Sequence, residues 1–263
     1  MKPSNNVDLG ITQTVIYCNR PFELSYLNPF LVWESAQRSL NDLDNSFLGF
    51  DARVLATNGV LLNGSILFDD LNFSNWFKGD WEIRNNGLAI QTGMHLTHPV
   101  LPDFLEFKIE YLQVRPYMFS HQGFETGLAY TNNGYPLGTE IQPNSFLISA
   151  SLDFHLGSRL LLGLQFDYKK HGRNLIDSTG NVIKNVGGDI FHSHSAISEF
   201  YTYLMDGDIE KEYLVRCNID YELSYNVNFS LNTLYRKYIS EGVNTDQVLF
   251  NFTVNYNTRL LKF

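Results

Sequence analysis

Four groups of residues carry functional groups at spacings that chemistry could use. His192-x-His194 with Asp189 offers two imidazoles and a carboxylate within six residues, the makings of a metal site. The surrounding stretch is rich in Ser and Gly, and a lone His-x-His in such a loop reads as solvated imidazole without a metal. Asp42-x-Asp44 with Asn45 is rich in oxygen, as a Ca²⁺ loop is, but lacks the glycine and distal glutamate of an EF-hand. Capping and turn chemistry accounts for it. Asp69-Asp70 pairs two carboxylates, as glycoside hydrolysis requires. Neighbouring residues of a strand point to opposite faces, so the two cannot flank one substrate; Asp69 reads as interior and Asp70 as rim. His155 and Asp153 share a strand face but lack a nucleophile. There is no Gly-x-Ser-x-Gly, no P-loop and no dinucleotide glycine fingerprint, so no enzymatic activity and no cofactor is expected.

Sugar recognition wants flat rings for pyranose C–H faces and planar polar groups for hydroxyls. Trp33, Trp76, Trp81, Phe73, Phe77, Tyr130, Tyr135, Tyr201 and Tyr203 fall in expected loops beside Asn, Asp and Lys, with Asp70 at the rim. They could equally form an interfacial aromatic belt or anchor the packing of loops.

The elements that would hold these loops are strands with two sharply different faces. Val248, Phe250, Phe252, Val254 and Tyr256 alternate with Asn251, Asn255 and Asn257. Tyr213, Val215, Cys217, Ile219, Tyr221 and Leu223 alternate with Arg216, Asn218, Asp220 and Glu222, and Leu160 to Tyr168 repeat the rule against Asp167 and Lys169. A strand has a side-chain period of two, so each segment is a ribbon with one greasy and one polar face. Strands are expected near 247–258, 227–239, 210–223, 159–171, 145–156, 104–117, 87–97, 60–70 and 46–57, with two more near 21–28 and 10–18. The polar faces collect Asp51, Arg53, Glu106, Lys108, Glu110, Asp153, His155, Asp167, Lys169, Arg216, Asp220, Glu222 and Arg236. Both signs interleave, which favours a cross-linked interior over a pore lined by one sign.

Connection lengths alternate as well. Asn58-Gly59, 98–103, Gly157-Ser158 and 224–226 are short, whereas 29–45, 71–86, 118–144, 172–209 and the medium 240–246 lie between them. Outer-membrane barrels have short periplasmic turns and long outer loops in that order. The fold expected is all-β: an antiparallel transmembrane β-barrel, one domain over 1–263, incomplete at about 10–12 strands of a larger barrel. About eleven strands is an odd number where such barrels close evenly. The start also lacks a signal peptide's apolar region, so further strands and an export signal are expected upstream.

Composition is compatible with this reading without compelling it. The hydrophobic fraction is 44%, aromatics make up 14%, and no apolar run approaches the roughly 20 residues of a membrane helix. A net charge of -9 argues against nucleic acid as a partner. Cys18 and Cys217 fall in expected strands among apolar neighbours, where Cys217 acts as a small hydrophobe, with a disulfide between them left open.

Several segments, in order and spacing, resemble the capsule assembly Wzi family of outer-membrane proteins. They are Leu27-Asn28-Pro29-Phe30 before a short helix-like stretch, Asp44 to Asp51, Leu67-Phe68-Asp69-Asp70, and Glu110 to Tyr117. The fullest is Tyr130-Thr131-Asn132-Asn133-Gly134-Tyr135-Pro136-Leu137-Gly138, followed by Ile141-Gln142-Pro143-Asn144-Ser145. The resemblance spans about residues 27 to 170, with Gln142-Pro143 where the family has Gly-Pro. It implies a non-catalytic barrel in the outer membrane of a Gram-negative bacterium, embedded in outer-membrane lipid, whose loops hold capsular or extracellular polysaccharide. Phe263 matches the terminal aromatic that the barrel assembly machinery reads. A porin-like channel is the alternative expectation, and an outer-membrane hydrolase a more remote one.

Overall fold

A computed structural model describes residues 4–19, 23–28, 30–39, 44–69, 77–79, 82–83, 86–121, 126–194 and 200–256. Its strands are β1 (Val7–Ile16), β2 (Asn45–Thr57), β3 (Val60–Asp69), β4 (Gly87–Leu96), β5 (Leu105–Val114), β6 (Thr131–Asn132), β7 (Tyr135–Pro136), β8 (Ser145–Leu156), β9 (Leu160–Arg173), β10 (Leu175–Ile176), β11 (Val182–Lys184), β12 (Asp208–Ser224), β13 (Val227–Ser240) and β14 (Val243–Tyr256). Ten of them form one antiparallel sheet in the order β1-β2-β3-β4-β5-β8-β9-β12-β13-β14. β6–β7 and β10–β11 are separate two-stranded hairpins within loops. One short helix, α1 (Trp33–Ser39), occupies the helix-like stretch expected after Phe30. The sheet is not closed: β1 and β14 are its two edges.

Register explains why the alternation in sequence sorts so cleanly in space. Directly paired residues of neighbouring strands share a face. One such row runs Val7, Val54, Leu62, Met94, Ile109, Ala150, Phe166, Val215, Tyr235 and Val248, crossing all ten strands without a polar residue. Its neighbour on the opposite face runs Asp8, Arg53, Asn63, Gly93, Glu110, Ser149, Asp167, Leu214, Arg236 and Gln247. A one-residue slip in any pair would mix the two faces, so the pattern of each strand holds the register of the next.

The apolar face is left open. Leu62, Ile109, Phe166 and Val248 stand 40%, 36%, 42% and 53% exposed, and none belongs to the buried core. That core lies at the long-loop end of the polar face, where Phe47, Ala89 and Val114 meet the loop residues Met118, Phe119, Ala129, Ile141 and Ile190.

Three expectations need correction. The strand near 21–28 does not form: Leu24–Leu27 is a 3₁₀ turn, begun by the Glu23 carboxylate accepting from Ser25 N at 3.2 Å. The alternation there is too short to outweigh that local turn, and residues 20–22 lie outside the described residues. The sheet therefore has ten strands, and β1 begins at the short-turn edge, with Val7 opposite Val54. The expected loop 240–246 shrinks to the turn Glu241-Gly242, Gly242 supplying φ 72. Ser240 to Ile239 then pair with Val243 and Asn244, extending both strands. Cys18 lies just past β1, and no disulfide joins it to Cys217.

Candidate functional site

The polar face carries a charge network concentrated on β8, β9, β12 and β13. Lys169 Nζ is 2.9 Å from Glu212 Oε2, while Arg236 Nε donates to Glu212 Oε1. Arg216 pairs with Asp167, whose Oδ1 also accepts from Ser149 Oγ at 2.6 Å and Gln165 Nε2 at 2.9 Å. Both carboxylates are buried, each satisfied from two strands at once. Nearer the short turns, Glu106 meets His95 at 3.1 Å and His155 at 3.5 Å, and Lys108 reaches Asp153 at 3.7 Å. His155 and Asp153 are thus members of an ion network rather than an acid–base pair. Asp220 accepts from Ser230 Oγ at 2.5 Å; Asp51, Arg53 and Glu110 face the same side and are exposed, and Glu222 shares it.

Two loops roof one end of this face. The 115–144 loop turns down from β5 and buries Met118 and Phe119 over the strand ends, where Phe119 N donates to Asp69 Oδ2 at 2.9 Å. Asp69 is therefore interior, as its strand phase requires, and its carboxylate anchors a loop. Beneath lies a cavity of about 210 Å³ lined by Glu140 and Ile141 of the loop and by Asp167, Lys169, Glu212 and Arg216 of the sheet. A space of that size and polarity suits ordered water or a single small polar group.

Asn144 is the clamp between the two loops. Its side chain donates to Gly172 O at 2.8 Å and Asp206 O at 2.9 Å and accepts from Met205 N at 2.6 Å. It adopts φ 57, a conformation that asparagine tolerates better than most residues. Gly172 cannot carry a side chain, since a Cβ there would sit 2.2 Å from Asp206 O. The 174–207 loop is further pinned by Asn174 Oδ1, which accepts from Val186 N and Gly188 N, and by Tyr117 Oη, which donates to Asn185 O at 2.7 Å. A third loop joins them through Thr202 N, which donates to Glu82 O at 2.6 Å. Burial lowers the Arg115 guanidinium, and Glu82 pulls it back up.

The sequence-derived chemical candidates separate accordingly. His192 Nδ1 lies 2.6 Å from Asp189 Oδ2 in a local turn, whereas His194 is buried with its ring edge-on to Tyr117 at 5.6 Å. The two imidazoles are put to different uses, and no metal-binding cluster occurs among the described residues. Asp44 is buried and accepts from Tyr26 Oη at 2.5 Å; Asp42 lies outside the described residues.

The aromatic candidates divide too. Tyr130 packs between Phe47 at 5.1 Å and Phe119 at 5.8 Å, so its ring belongs to the core and not to a glycan platform. Trp33 lies edge-on to Tyr26 and donates its indole N–H to Asn28 O, a packing role. Phe77, Tyr135, Tyr201 and Tyr203 are exposed, Tyr135 at the tip of the β6–β7 hairpin where Asn133-Gly134 turn with φ 49 and 79. Trp76, Trp81, Phe73 and Asp70, like Phe263, lie outside the described residues.

No family model matches this chain, and no curated protein matches it. Among solved structures it is similar to the siderophore receptor PirA from Pseudomonas aeruginosa, with 11% sequence identity and a TM-score of 0.38 over 82% of this chain. The aligned part is 43% of that receptor, so the chain spans less than half its length.

Sequence reading missed Asn144 as a clamp and His171, which reaches Glu210 Oε2 at 3.2 Å and Gly188 O at 2.7 Å. The only signal for the first was a Pro-Asn-Ser just ahead of a strand, a turn motif that says nothing of partners tens of residues away.

Proposed function

We propose that this chain forms part of the wall of an outer-membrane β-barrel of Wzi type, a non-catalytic surface protein whose loops hold capsular or extracellular polysaccharide. The observation that carries the membrane part is the apolar row crossing ten strands with only solvent-facing exposure. A soluble sheet would cover it with a second layer, whereas lipid solvates it. Tyrosines bracket the apolar span: Tyr213 and Tyr221 on β12 are eight residues apart, about 26 Å along the strand. At the roughly 40° tilt of barrel strands this is about 20 Å of height, which lies within the roughly 25 Å apolar band of outer-membrane barrels. Outer-membrane lipid is then the solvent of one face, and the barrel assembly machinery the route of insertion.

The loop roof and paired charges support a closed interior over the channel alternative. A selective pore would leave one sign of charge unpaired along its lining. Exposed Tyr135, Phe77, Tyr201 and Tyr203 offer rings on the outside of that roof, where a glycan could stack.

The complete protein that carries this chain, unfolded in urea and added to phosphatidylcholine vesicles, should fold into them and migrate faster on unheated gels than after boiling; a water-soluble monomer indifferent to vesicles would refute the membrane reading. For the glycan part, cells carrying Tyr135→Ala with Phe77→Ala and Tyr201→Ala should shed polysaccharide at unchanged barrel levels. Full retention would remove that assignment and leave the barrel standing.

A further inference from the structure

Among the described residues, most cations of the polar face, Arg53 apart, have a carboxylate partner, whereas three on the apolar face do not. On the polar face Lys108, Lys169, Arg216 and Arg236 all have carboxylate partners. Lys170, Lys211 and Lys237 occupy the apolar phase, and none of them is in an ion pair among the described residues. Lys170 and Lys211 are direct cross-strand partners, and Lys237 is diagonal to Lys211, being two residues from its partner Ile239. Like charges placed opposite one another repel, so the trio costs stability unless an outside anion sits among them. Asp246, the acid across from Lys237, accepts a hydrogen bond from Tyr235 Oη at 2.7 Å.

Their position selects the anion. All three lie toward the long-loop end of the strands: Lys170 and Lys211 stand one same-face step beyond Tyr168 and Tyr213, whose rings stack at 4.9 Å, and Lys237 is level with those rings as the direct partner of Tyr213. Phe146 and Tyr111 continue this ring shelf, with centroid separations of 5.7 Å from Tyr168 to Phe146 and 6.2 Å from Phe146 to Tyr111. A cationic cluster on a greasy face, at the level of an aromatic belt and one same-face step beyond it, is placed at headgroup depth, where long lysine stems lie along apolar surface and their ammonium groups meet phosphate.

We infer that Lys170, Lys211 and Lys237 form a binding site for the phosphorylated headgroup of an outer-leaflet glycolipid, with its upper acyl segments or sugar on Tyr168 and Tyr213. This rests on the membrane reading above. The site would fasten the β9–β12–β13 side of the wall to the outer leaflet, independently of any glycan held by the loops.

The test folds the full chain into phosphatidylcholine vesicles containing a minor fraction of diphosphorylated lipid A, then extracts it gently and weighs the lipid that stays bound by native mass spectrometry. Lipid A should be enriched over phosphatidylcholine on the order of tenfold or more, since each juxtamembrane lysine adds about a factor of five. The triple variant Lys170→Gln, Lys211→Gln, Lys237→Gln should return to the bulk ratio, the triple arginine variant should keep the enrichment, and dephosphorylated lipid A should show none. Equal lipid A retention by the folded glutamine variant overturns the inference, as does a bulk ratio in the wild type. Insertion without lipid preference sinks this site alone, whereas failure to insert sinks it together with the barrel.

Discussion

At the long-loop end of the sheet Val114, Met118, Phe119 and Ile190 are sealed to 1% exposure or less, while on the body of the same sheet Phe166 and Phe250 stand 42% and 73% exposed. Residues of the same hydrophobicity meet opposite fates within one sheet. The buried ones sit on the polar phase or in the loops that fold over it, and the exposed ones sit on the apolar phase. Hydrophobicity alone therefore does not make the core of this protein. The core is a roof on the polar side, and the sheet's own apolar face lies outside that core.

The sharpest way to break this contrast is to empty the roof. Phe119→Ala should cost about 3–5 kcal/mol and free the 115–144 loop, since its ring packs on Phe47 and Tyr130. Limited proteolysis should then cut the loop while the strands still resist; coincident loss of both would mean that roof and wall are one cooperative unit. Phe166→Arg asks the complementary question of the open face. For a surface side chain 42% exposed to water it should be nearly neutral, but in a bilayer it should cost about 2–4 kcal/mol. Equilibrium folding into vesicles measures the difference, and no destabilisation there would erase the contrast.

Removing one carboxylate from the polar face should have a smaller effect. Glu212→Gln leaves Lys169 and Arg236 without their shared partner, but those cations are 37% and 41% exposed and solvent screens them, so about 1–2 kcal/mol is expected. Chemical denaturation at low and high salt should show the loss shrinking as salt rises.

The smallest effect lies in the 174–207 loop. Hydrogen bonds from Thr179 Oγ1 and Asn181 N hold Asp177 down to about 2, and the Lys184 ammonium lowers Asp206. Carboxylates depressed in the folded state stabilise it above their ordinary pKa and lose that contribution as pH falls toward the folded value. Amide protection in 175–184, taken relative to the intrinsic exchange rate at each pH, should fall between roughly pH 4 and pH 2, and Asp177→Asn should flatten part of that dependence. An unchanged profile in the variant would detach the turn from this titration.

Much of the wall was legible before any coordinates. Tyr213 to Leu223 against Arg216 to Glu222 is a period of two that no helix could sort, and each predicted polar residue from Asp51 to Arg236 falls on one face of the sheet. Asn58-Gly59 announced the β2–β3 hairpin, with Gly59 supplying φ 83. The roof was not legible. For Tyr130 sugar binding and loop packing stood level, because nothing in its neighbourhood records that Phe47 and Phe119 close on either side of it. His192-x-His194 read as two solvated imidazoles, yet His194 is buried against Tyr117 while His192 pairs with Asp189.

The sequence by itself determined the strands, their two-sided character and the pairing register, because side chains alternate at a fixed period and a slip of one residue would put charge among apolar rows. Only the tertiary structure decided which loop residues are buried and which charges meet. Asn144 finds Asp206, and Asp69 finds Phe119, across chain separations for which no local preference exists. Such contacts depend on where whole loops come to rest over the sheet.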